Sequence, residues 1–534
     1  MTGYPWGQST TGTVSKAVTK HYRVNAMDNC FVALPKDNKN RVIKTYLFRE
    51  NRSTKVRQVL WGDWLKISRE MDDGWLEIEW GPNSDSPEFL YIPKDHTTDI
   101  RPLEIVFLDV GQGDGAVLIT PERGEGEAVM VIDAGDSENM HDFLAKRFKP
   151  YNVQFQFHAA VITHPDKDHY NGFNQIFSAP NFGFDVIYHS GLVERPVNGS
   201  FEKVGGRSDK LSNKKRYVTD LAVNKADIER LFGAGVDPGK FLFPQLMKAA
   251  LANQNIKDIK ILSTEHGTKE DNATWMPGFA PSDDRGYKIE VLGPVVEMID
   301  DGLPKLRSIG SYGETKNGHS VLLRLHIGGF KILFGGDLND KAEKFLLKHY
   351  AGIKIFPQEG TQKYADMIEA ASGKFRAEVM KVCHHGSDKV TDAFMETVFP
   401  AAFVISSGDS EGHVHPRPDL LGRLGKKGRS KAPVILSTEL QRSTREKEDK
   451  KLVERLKKRI AGLQAAPTAS MKSRLEKDID LLGRSNVTVY GTIYLKTDGH
   501  TLITAFRIET GSEKKKWFTF QYEFDDEQQL ELVR

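Results

Sequence analysis

The chain reads Thr163-His164-Pro165-Asp166-Lys167-Asp168-His169-Tyr170-Asn171-Gly172 at the point where an apolar run, residues 159–163, ends. Two imidazoles and two carboxylates fall within six residues of this stretch: His164, Asp166, Asp168 and His169. A turn after a strand can gather such side chains around one point, whereas a continuous helix or strand would spread them apart. Mixed nitrogen and oxygen ligands suit a divalent ion of intermediate hardness. The alternative interpretation is a polar turn whose aspartates cap the next helix.

Three further polar clusters stand at the ends of predicted strands. They are Gly335-Gly336-Asp337, Cys383-His384-His385-Gly386-Ser387 and Gly412-His413-Val414-His415-Pro416. Each is weak alone, because a single histidine or aspartate at a strand end is more often a hydrogen-bonded turn residue. Four such clusters in one chain are hard to attribute to chance. The sequence therefore predicts an α/β fold in which these turns meet at the edge where such folds bind ligands.

The order of these motifs resembles the metallo-β-lactamase superfamily, and within it the ComEC-like branch of competence nuclease-like domains. The matching segments are FLDVGQGD (107–114), VIDAG (131–135), residues 164–172, Asn317 with Ser320, Gly336-Asp337, residues 381–387 and His415-Pro416. They span residues 103 to about 508. Unlike ComEC proteins, this chain has no run of 18 apolar residues, so no membrane span is predicted. The resemblance implies a metallo-β-lactamase αββα sandwich with a hydrolytic metal centre.

By the same resemblance, the chain would bind two divalent metal ions, zinc or manganese. One ion would be held by His164, Asp166 and His384, with His385 as a further candidate. The second would be held by Asp168, His169 and His415, and Asp337 would bridge the two. Asp133 is expected to orient the ligands from behind, whereas Asp109 and Asp114 are expected to shape the turns. The predicted catalytic residues are Asp168 and His385.

Two departures from the superfamily pattern bear on the metal. Asp166 stands where the common motif has a histidine, and this carboxylate shifts the preference from zinc toward manganese or magnesium. His319 lies close to a position where many members carry a metal-binding histidine, so it is either a ligand or, slightly favoured, a turn residue. Between His413 and His415, the following Pro416 favours His415.

Length and composition limit the class of protein. With 534 residues the chain is expected to form two to four domains, and 39% hydrophobic and 28% charged residues are typical of a globular protein. A net charge of +2 gives no overall attraction to nucleic acid. Two cysteines and a polar start, residues 1–20, without a secretory signal indicate a reducing, cytoplasmic location.

Composition along the chain predicts three regions. Residues 1–20 read as a flexible tail, and residues 21–100 as an SH3-like β domain whose aromatic side chains either fill its core or line a peptide groove. Residues 101–534 form the predicted catalytic domain, with insertions at about 190–285 and 440–483. The first insertion is predicted to contain one helix from Lys225 to Leu251, and the second a helical hairpin.

Two metal ions close together would generate hydroxide for hydrolysis at neutral pH, which suits phosphodiesters. Basic residues at 203–216 and 417–431 could follow a nucleic-acid backbone, or could be ordinary solvated surface. A nuclease acting on DNA or RNA is therefore the leading prediction. The alternatives are a hydrolase of a small ester, lactone, phosphocholine or peptide substrate, and an effector of a bacterial defence system gated by a protein partner at the SH3-like domain.

Overall fold

The chain folds as a mixed α/β protein in its computed structural model. The residues that it describes are 29–80, 87–148, 155–299, 302–408, 415–430, 432–439, 456, 458–465, 468–475, 491–508, 512–527 and 529–533. The predicted tail, His413 and most of the predicted helical hairpin at 440–483 lie outside these residues. No helix among the described residues has the length and apolar character needed to cross a bilayer.

Residues 29–98 form an antiparallel sheet of seven strands around a small core of their own. Buried and more exposed side chains alternate along Thr45–Phe48 and Trp75–Trp80, whereas every residue of Asn29–Val32 is buried. The strands are β1 (Asn29–Val32), β2 (Thr45–Phe48), β3 (Lys55–Val59), β4 (Trp64–Glu70), β5 (Trp75–Trp80), β6 (Glu88–Pro93) and β7 (Thr97–Thr98). Their order in the sheet is β3-β2-β6-β5-β4-β1-β7.

The next region alternates strands with helices, as the apolar runs between polar turns predict. Its strands are β8 (Leu103–Phe107), β9 (Gly115–Ile119), β10 (Val129–Ala134), β11 (Phe155–Ile162), β12 (Phe182–His189), β13 (Tyr217–Val218) and β14 (Ile259–Ile261). Its helices are α1 (Asn139–Arg147), α2 (Lys167–Tyr170), α3 (Phe173–Ser178), α4 (Lys225–Phe232) and α5 (Leu242–Ala252).

The remainder of the chain adds a second large sheet and completes the first. Its strands are β15 (Thr268–Glu270), β16 (Ala273–Trp275), β17 (Tyr287–Gly293), β18 (Val296–Met298), β19 (Pro304–Arg307), β20 (Leu322–Ile327), β21 (Phe330–Phe334), β22 (Val379–Lys381), β23 (Ala402–Ile405), β24 (Val434–Ser437), β25 (Ile493–Thr497), β26 (Thr501–Arg507), β27 (Trp517–Phe524) and β28 (Leu530–Val533). Its helices are α6 (Tyr312–Gly318), α7 (Asp340–Tyr350), α8 (Gln362–Phe375), α9 (Asp392–Val398) and α10 (Pro418–Lys427).

Two large sheets share one apolar core. The ten-stranded sheet has the order β14-β12-β11-β10-β9-β8-β25-β26-β27-β28, and the eight-stranded sheet the order β15-β16-β17-β20-β21-β22-β23-β24. One buried cluster joins side chains of both, such as Ile105 with Leu325, so these faces pack together. A second cluster joins the first sheet to α1, α3, α4 and α5, and a third joins the other sheet to α7–α10. Each sheet therefore has the other sheet on one face and helices on its opposite face.

The structure differs from the sequence prediction at residues 190–285. The single helix predicted from Lys225 to Leu251 is wrong, because α4 ends at Phe232 and α5 begins at Leu242. Glycines and a proline between them interrupt a continuous helix. The segment also supplies β14 to the ten-stranded sheet and β15 and β16 to the eight-stranded sheet. Much of the predicted insertion is thus part of the main layers.

The seven-stranded N-terminal sheet packs against the last strands of the chain. The side-chain oxygen of Gln58 accepts hydrogen bonds from the backbone amides of Lys516 and Trp517, both at 3.0 Å. Trp61 is buried in a cluster that contains Ile503 and Trp517. Residues far apart in sequence therefore hold the two ends of the described chain together.

Only part of the aromatic set in the N-terminal sheet is open to a ligand. Trp61 is buried, while Trp75 and Tyr91 each lie 5.7 Å from the guanidinium of Arg52. Trp64 remains 39% exposed. The peptide groove stays a prediction.

Candidate metal centre

The polar turns of both large sheets meet at one edge of the molecule. In the first sheet β10 and β11 are parallel, and His164 follows the end of β11. In the second sheet β21, β22 and β23 are parallel, and their ends lead to Asp337, His384 and the buried serines 406–407. The carboxyl ends of parallel strands meet at one edge. The two edges are joined directly, because the amide of Val321 donates to the carbonyl of Thr163 at 2.9 Å.

Asp337 lies at the centre of this edge. Its Oδ2 is 3.2 Å from His169 Nε2, 3.2 Å from His385 Nε2, 3.9 Å from His164 Nε2 and 4.0 Å from His384 Nε2. The carboxylate is buried, and its backbone amide donates to Ser320 Oγ at 3.1 Å. Four imidazoles from two turns thus surround one carboxylate from a third turn.

His169 is oriented from behind by a buried carboxylate. Its Nδ1 is 2.8 Å from Asp133 Oδ2, and Asp133 also accepts hydrogen bonds from the backbone amide (2.8 Å) and hydroxyl (2.6 Å) of Thr163. Burial lowers the pKa of His169, but the charges of Asp337 and Asp133 outweigh it and raise that pKa well above its usual value. Asp133 therefore holds Nε2 toward Asp337, in the role that the sequence predicted for it.

A matching arrangement, which the sequence analysis missed, orients His385. Its Nδ1 is 3.2 Å from the Ser406 carbonyl oxygen and 3.0 Å from Asp114 Oδ1, and the buried Lys381 forms an ion pair with Asp114 Oδ2. The charges of Asp337 and Asp114 overcome the effect of burial and raise the pKa of His385. Asp114 was expected only to shape a turn. Its contact with Lys381 joins residues 267 apart in sequence, which local spacing cannot reveal.

Asp166 is held differently from the other carboxylates. Its Oδ2 is 3.4 Å from His164 Nε2, and its Oδ1 forms an ion pair with the buried ammonium of Lys316. With its nitrogen facing Asp166, the Asn317 amide donates to Oδ2 at 2.8 Å. Asp166 precedes α2, yet its side chain forms no helix cap, so the capping alternative is wrong for this residue.

The remaining predicted ligands occupy the wall of a cavity. Asp168 Oδ2 is 3.5 Å from His385 Nε2 and 3.4 Å from the Gln112 amide. His415 lies beside His384, with ring centroids 6.1 Å apart. The cavity has a volume of about 290 Å³ and is lined by Gln112, Asp166, Asp168, Asn317, Asp337, His384, His385 and His415.

Backbone strain accompanies this site. His384 and His385 have φ angles of 50° and 52°, in the left-handed region that residues other than glycine rarely adopt. A side chain at Gly113 would overlap the carbonyl oxygen of Asp168, so only glycine allows the two turns to approach. Strain of this kind persists where the surrounding structure enforces it, typically at functional sites.

The cluster is rich in negative charge and poor in hydrogen-bond donors. It contains the five carboxylates of Asp114, Asp133, Asp166, Asp168 and Asp337, and only the two ammonium groups of Lys316 and Lys381. Asp133, Asp168 and Asp337 are left without a lysine partner, and the charge of Asp337 raises the pKa of both His169 and His385. His164 Nε2 and Asp337 Oδ1 are buried without a hydrogen-bond partner. Because unpaired buried acceptors are costly, the donor set fits divalent cations. Asp114, His169, Asp337 and His385 bring one ligand atom each within 4.8 Å of one another.

His319 lies apart from this cluster. Its Nε2 bonds to the carbonyl of Arg307 at 2.7 Å, and its ring packs near Phe345. Burial lowers the pKa of His319 to about 4. The turn-residue interpretation therefore fits this histidine, and the ligand alternative does not.

Several basic side chains in one of the two predicted basic segments already form ion pairs with carboxylates. Arg423 pairs with Asp392 at 2.6 Å, Lys427 with Asp392 at 3.3 Å, and Arg429 with Glu378 at 3.0 Å. In the other segment, Arg207 lies over the ring of Phe201 at 4.4 Å.

A larger cavity of about 500 Å³ lies between α7 and α9, but it contains none of the clustered histidines.

Comparisons with known proteins add no function. No family model matches the chain, and no curated protein matches it. The chain is similar to the crystal structure of a protein of unknown function from Enterococcus faecalis, with a TM-score of 0.20 and 10% identity. That match covers 65% of this chain and 91% of the other. A likeness of this size carries no argument about fold or function.

Proposed function

We propose that this chain is a metallo-β-lactamase-fold hydrolase that uses two divalent ions, manganese or zinc, to cleave phosphodiesters of DNA or RNA. The observation that carries the proposal is the excess of buried carboxylate around Asp337, together with imidazole and carboxylate atoms that lack hydrogen-bond partners. The N-terminal sheet would be the SH3-like domain of this enzyme.

The layer order supports the proposed fold. Two sheets pack face to face with helices outside both, and the polar turns lie at the strand ends. The motifs at 107–114, 131–135 and 164–172 contribute to the same edge through Asp114, Asp133 and His169. This layer order and the meeting of the motifs at one edge are the observations that support the proposed fold.

We assign the ligands to two subsites that share Asp337. The first comprises Asp168, His169 and His385, and the second His164, Asp166 and His384. This assignment moves His385 to the side of His169, because their Nε2 atoms are 3.2 Å apart. His415 lies next to His384 and joins the second subsite in this proposal, whereas the resemblance placed it with Asp168 and His169.

Ions bound there would supply Lewis acidity that polarises the ester and makes water nucleophilic at neutral pH. Asp133 and Asp114 keep the Nε2 atoms of His169 and His385 directed at the centre. The Nδ1 of His385 donates to the Ser406 carbonyl, which leaves Nε2, beside Asp337, as the atom available to an ion, so we assign His385 as a ligand. Gln112 lines the cavity and donates one amide hydrogen to Asp168, so its second amide hydrogen can be donated to a phosphate oxygen.

A small phosphodiester is the second candidate substrate. The ion pairs of Arg423, Lys427 and Arg429 leave fewer cations on this side for a polynucleotide backbone than the sequence suggested. The two substrates differ in their salt dependence, because contacts with many phosphates weaken steeply as salt rises.

The test is hydrolysis by the full-length protein loaded with Mn²⁺. Plasmid DNA, single-stranded DNA and bis(p-nitrophenyl) phosphate serve as substrates, and bound metal is measured on the same samples. Asp168→Ala should abolish hydrolysis. Lys167→Ala is the matched control, since Lys167 lies in the same turn but pairs with Asp136 at 2.9 Å outside the cluster. Full activity of Asp168→Ala, or a wild-type protein that binds no metal, would refute the proposal.

A further inference from the structure

Lys316 places a permanent positive charge inside one half of the proposed metal centre. Its ammonium is buried between Asp166 Oδ1 and Glu194 Oε1, the latter at 2.9 Å. Tyr312 donates its hydroxyl to the same Glu194 oxygen at 2.7 Å, and the lysine lies 5.0 Å from the Tyr312 ring. The ammonium is thus fixed by a polar network instead of reaching into solvent.

The helix that carries Lys316 is itself held in place. Ser311 and Glu314 form a capping box at the start of α6, and Glu314 pairs with Lys341 at 2.8 Å. Asn339 donates to the carbonyl of Glu314 at 2.9 Å. These contacts fix the backbone of α6, and the ion pairs with Asp166 and Glu194 fix the Lys316 ammonium.

The two proposed subsites consequently differ in charge. Lys316 contacts Asp166 Oδ1 directly while it also pairs with Glu194, and Asp166 Oδ2 accepts from Asn317. Asp168 has only the Gln112 amide at 3.4 Å and the His385 ring nearby. Lys381, the other buried lysine, contacts Asp114, which lies behind His385. A cation that directly contacts a ligand carboxylate reduces the attraction of that carboxylate for a divalent ion.

We propose that Lys316 makes the two ion sites unequal, so that the subsite of His164 and Asp166 binds its divalent ion more weakly than the subsite of Asp168, His169 and His385. This inference rests on the proposed function, since it takes the two subsites from it. Lys316 acts as a positioning residue through Asp166. The site would fill in order, and the second ion would bind only at the higher metal concentration.

The experiment is a Mn²⁺ titration of the metal-stripped, full-length protein, with free Mn²⁺ measured by electron paramagnetic resonance. The wild type should show two classes of site whose Kd values differ by about tenfold or more. The double variant Lys316→Met/Glu194→Gln removes the ammonium and also the second carboxylate that it neutralises. In it the weak class should tighten by about tenfold, while the tight class is unchanged.

Two further variants keep the test decisive. Asp166→Asn in the wild-type background should remove only the weak class, which decides the matter if the double variant does not fold. Lys344→Met is the matched control, because Lys344 pairs with Asp340 within α7 at 3.9 Å and should leave both classes unchanged.

Two equal classes in the wild type, or an unchanged ratio in the double variant, would overturn the inference. Unequal binding without phosphodiester hydrolysis would support the inference and overturn the proposed function. A protein that binds no Mn²⁺ would overturn both.

Discussion

Two of the buried charged clusters in the described part of the chain, around Asp337 and around Glu290, are built in opposite ways. The Glu290 carboxylate lies 2.6 Å from the Arg324 guanidinium, 2.7 Å from the Lys374 ammonium and 3.2 Å from the His326 ring. Burial raises the pKa of Glu290, but these partners outweigh it and lower the value to about 2. The Asp337 cluster has more carboxylates than cations, and Asp337 Oδ1 has no hydrogen-bond partner.

This difference separates the Glu290 cluster, which is structural, from the Asp337 cluster, which is the candidate metal site. A buried ion pair with every atom satisfied is complete within the folded chain, whereas surplus carboxylates call for a cation from outside. Burial and ionisable residues alone do not distinguish the two clusters. The sign of the remaining charge and the unpaired atoms do.

The largest expected effect is that of Asp337→Asn. This change keeps the shape of the side chain but removes the charge that four imidazoles share, so metal binding should fail. Hydrolysis should fall by roughly a thousandfold. Metal content and initial rates measure the effect, with Asp340→Asn at the start of α7 as the control. A variant that retains both ions would show that Asp337 is not the shared ligand.

Glu290→Gln should destabilise the fold without touching the metal. The change leaves Arg324 buried beside a neutral amide, which should cost about 3 kcal/mol in the free energy of unfolding. Because the folded pKa is depressed from 4.5 to about 2, this stability is present above pH 4.5 and is lost as pH falls toward 2. Urea unfolding at pH 7 and pH 3 measures it. An equal difference between variant and wild type at the two pH values would contradict the pairing.

Glu343 sharpens the comparison, because it is a buried carboxyl group without a cation. Its Oε2 accepts from the Thr391 amide at 2.6 Å, Oε1 has no partner, and burial raises the pKa to about 8. The folded state then holds a proton that the unfolded state loses above pH 4.5, so stability falls as pH rises from 4.5 to 8.

Glu343→Gln should remove this dependence and gain about 2 kcal/mol over the wild type between pH 5 and 7. Chemical unfolding curves at several pH values measure the gain. Glu359→Gln, at an exposed position, is the control. A constant difference across the range would show that Glu343 is ionised in the folded protein.

The smallest effect is the stabilisation by metal. At a free Mn²⁺ concentration ten times Kd, one bound ion should add about 1.4 kcal/mol to the free energy of unfolding. The increase should be seen in wild type and in Glu290→Gln, and should be absent in Asp337→Asn. Thermal unfolding with and without a chelator measures it. Equal stabilisation of all three proteins would place the metal elsewhere.

The sequence predicted which turns carry the clustered residues, but not the buried ion pairs that hold those residues in place. The ends of β10, β11 and β21 were predictable, because each is an apolar run followed by polar residues and glycine. The roles of Lys316 and Lys381 were not, since each pairs with a carboxylate far away in the chain. The choice between His384 and His385 depends on left-handed backbone angles, which residue order does not encode.

The contact between the first and last parts of the chain has a practical consequence. Gln58 caps two backbone amides, and Trp61 covers Ile503 and Trp517. An expression clone that starts near residue 100 would lose this cover and present bare indole and aliphatic carbon to water, inviting self-association. Such a fragment would not behave like the intact polypeptide, so truncation is a poor way to study residues 101–534 alone.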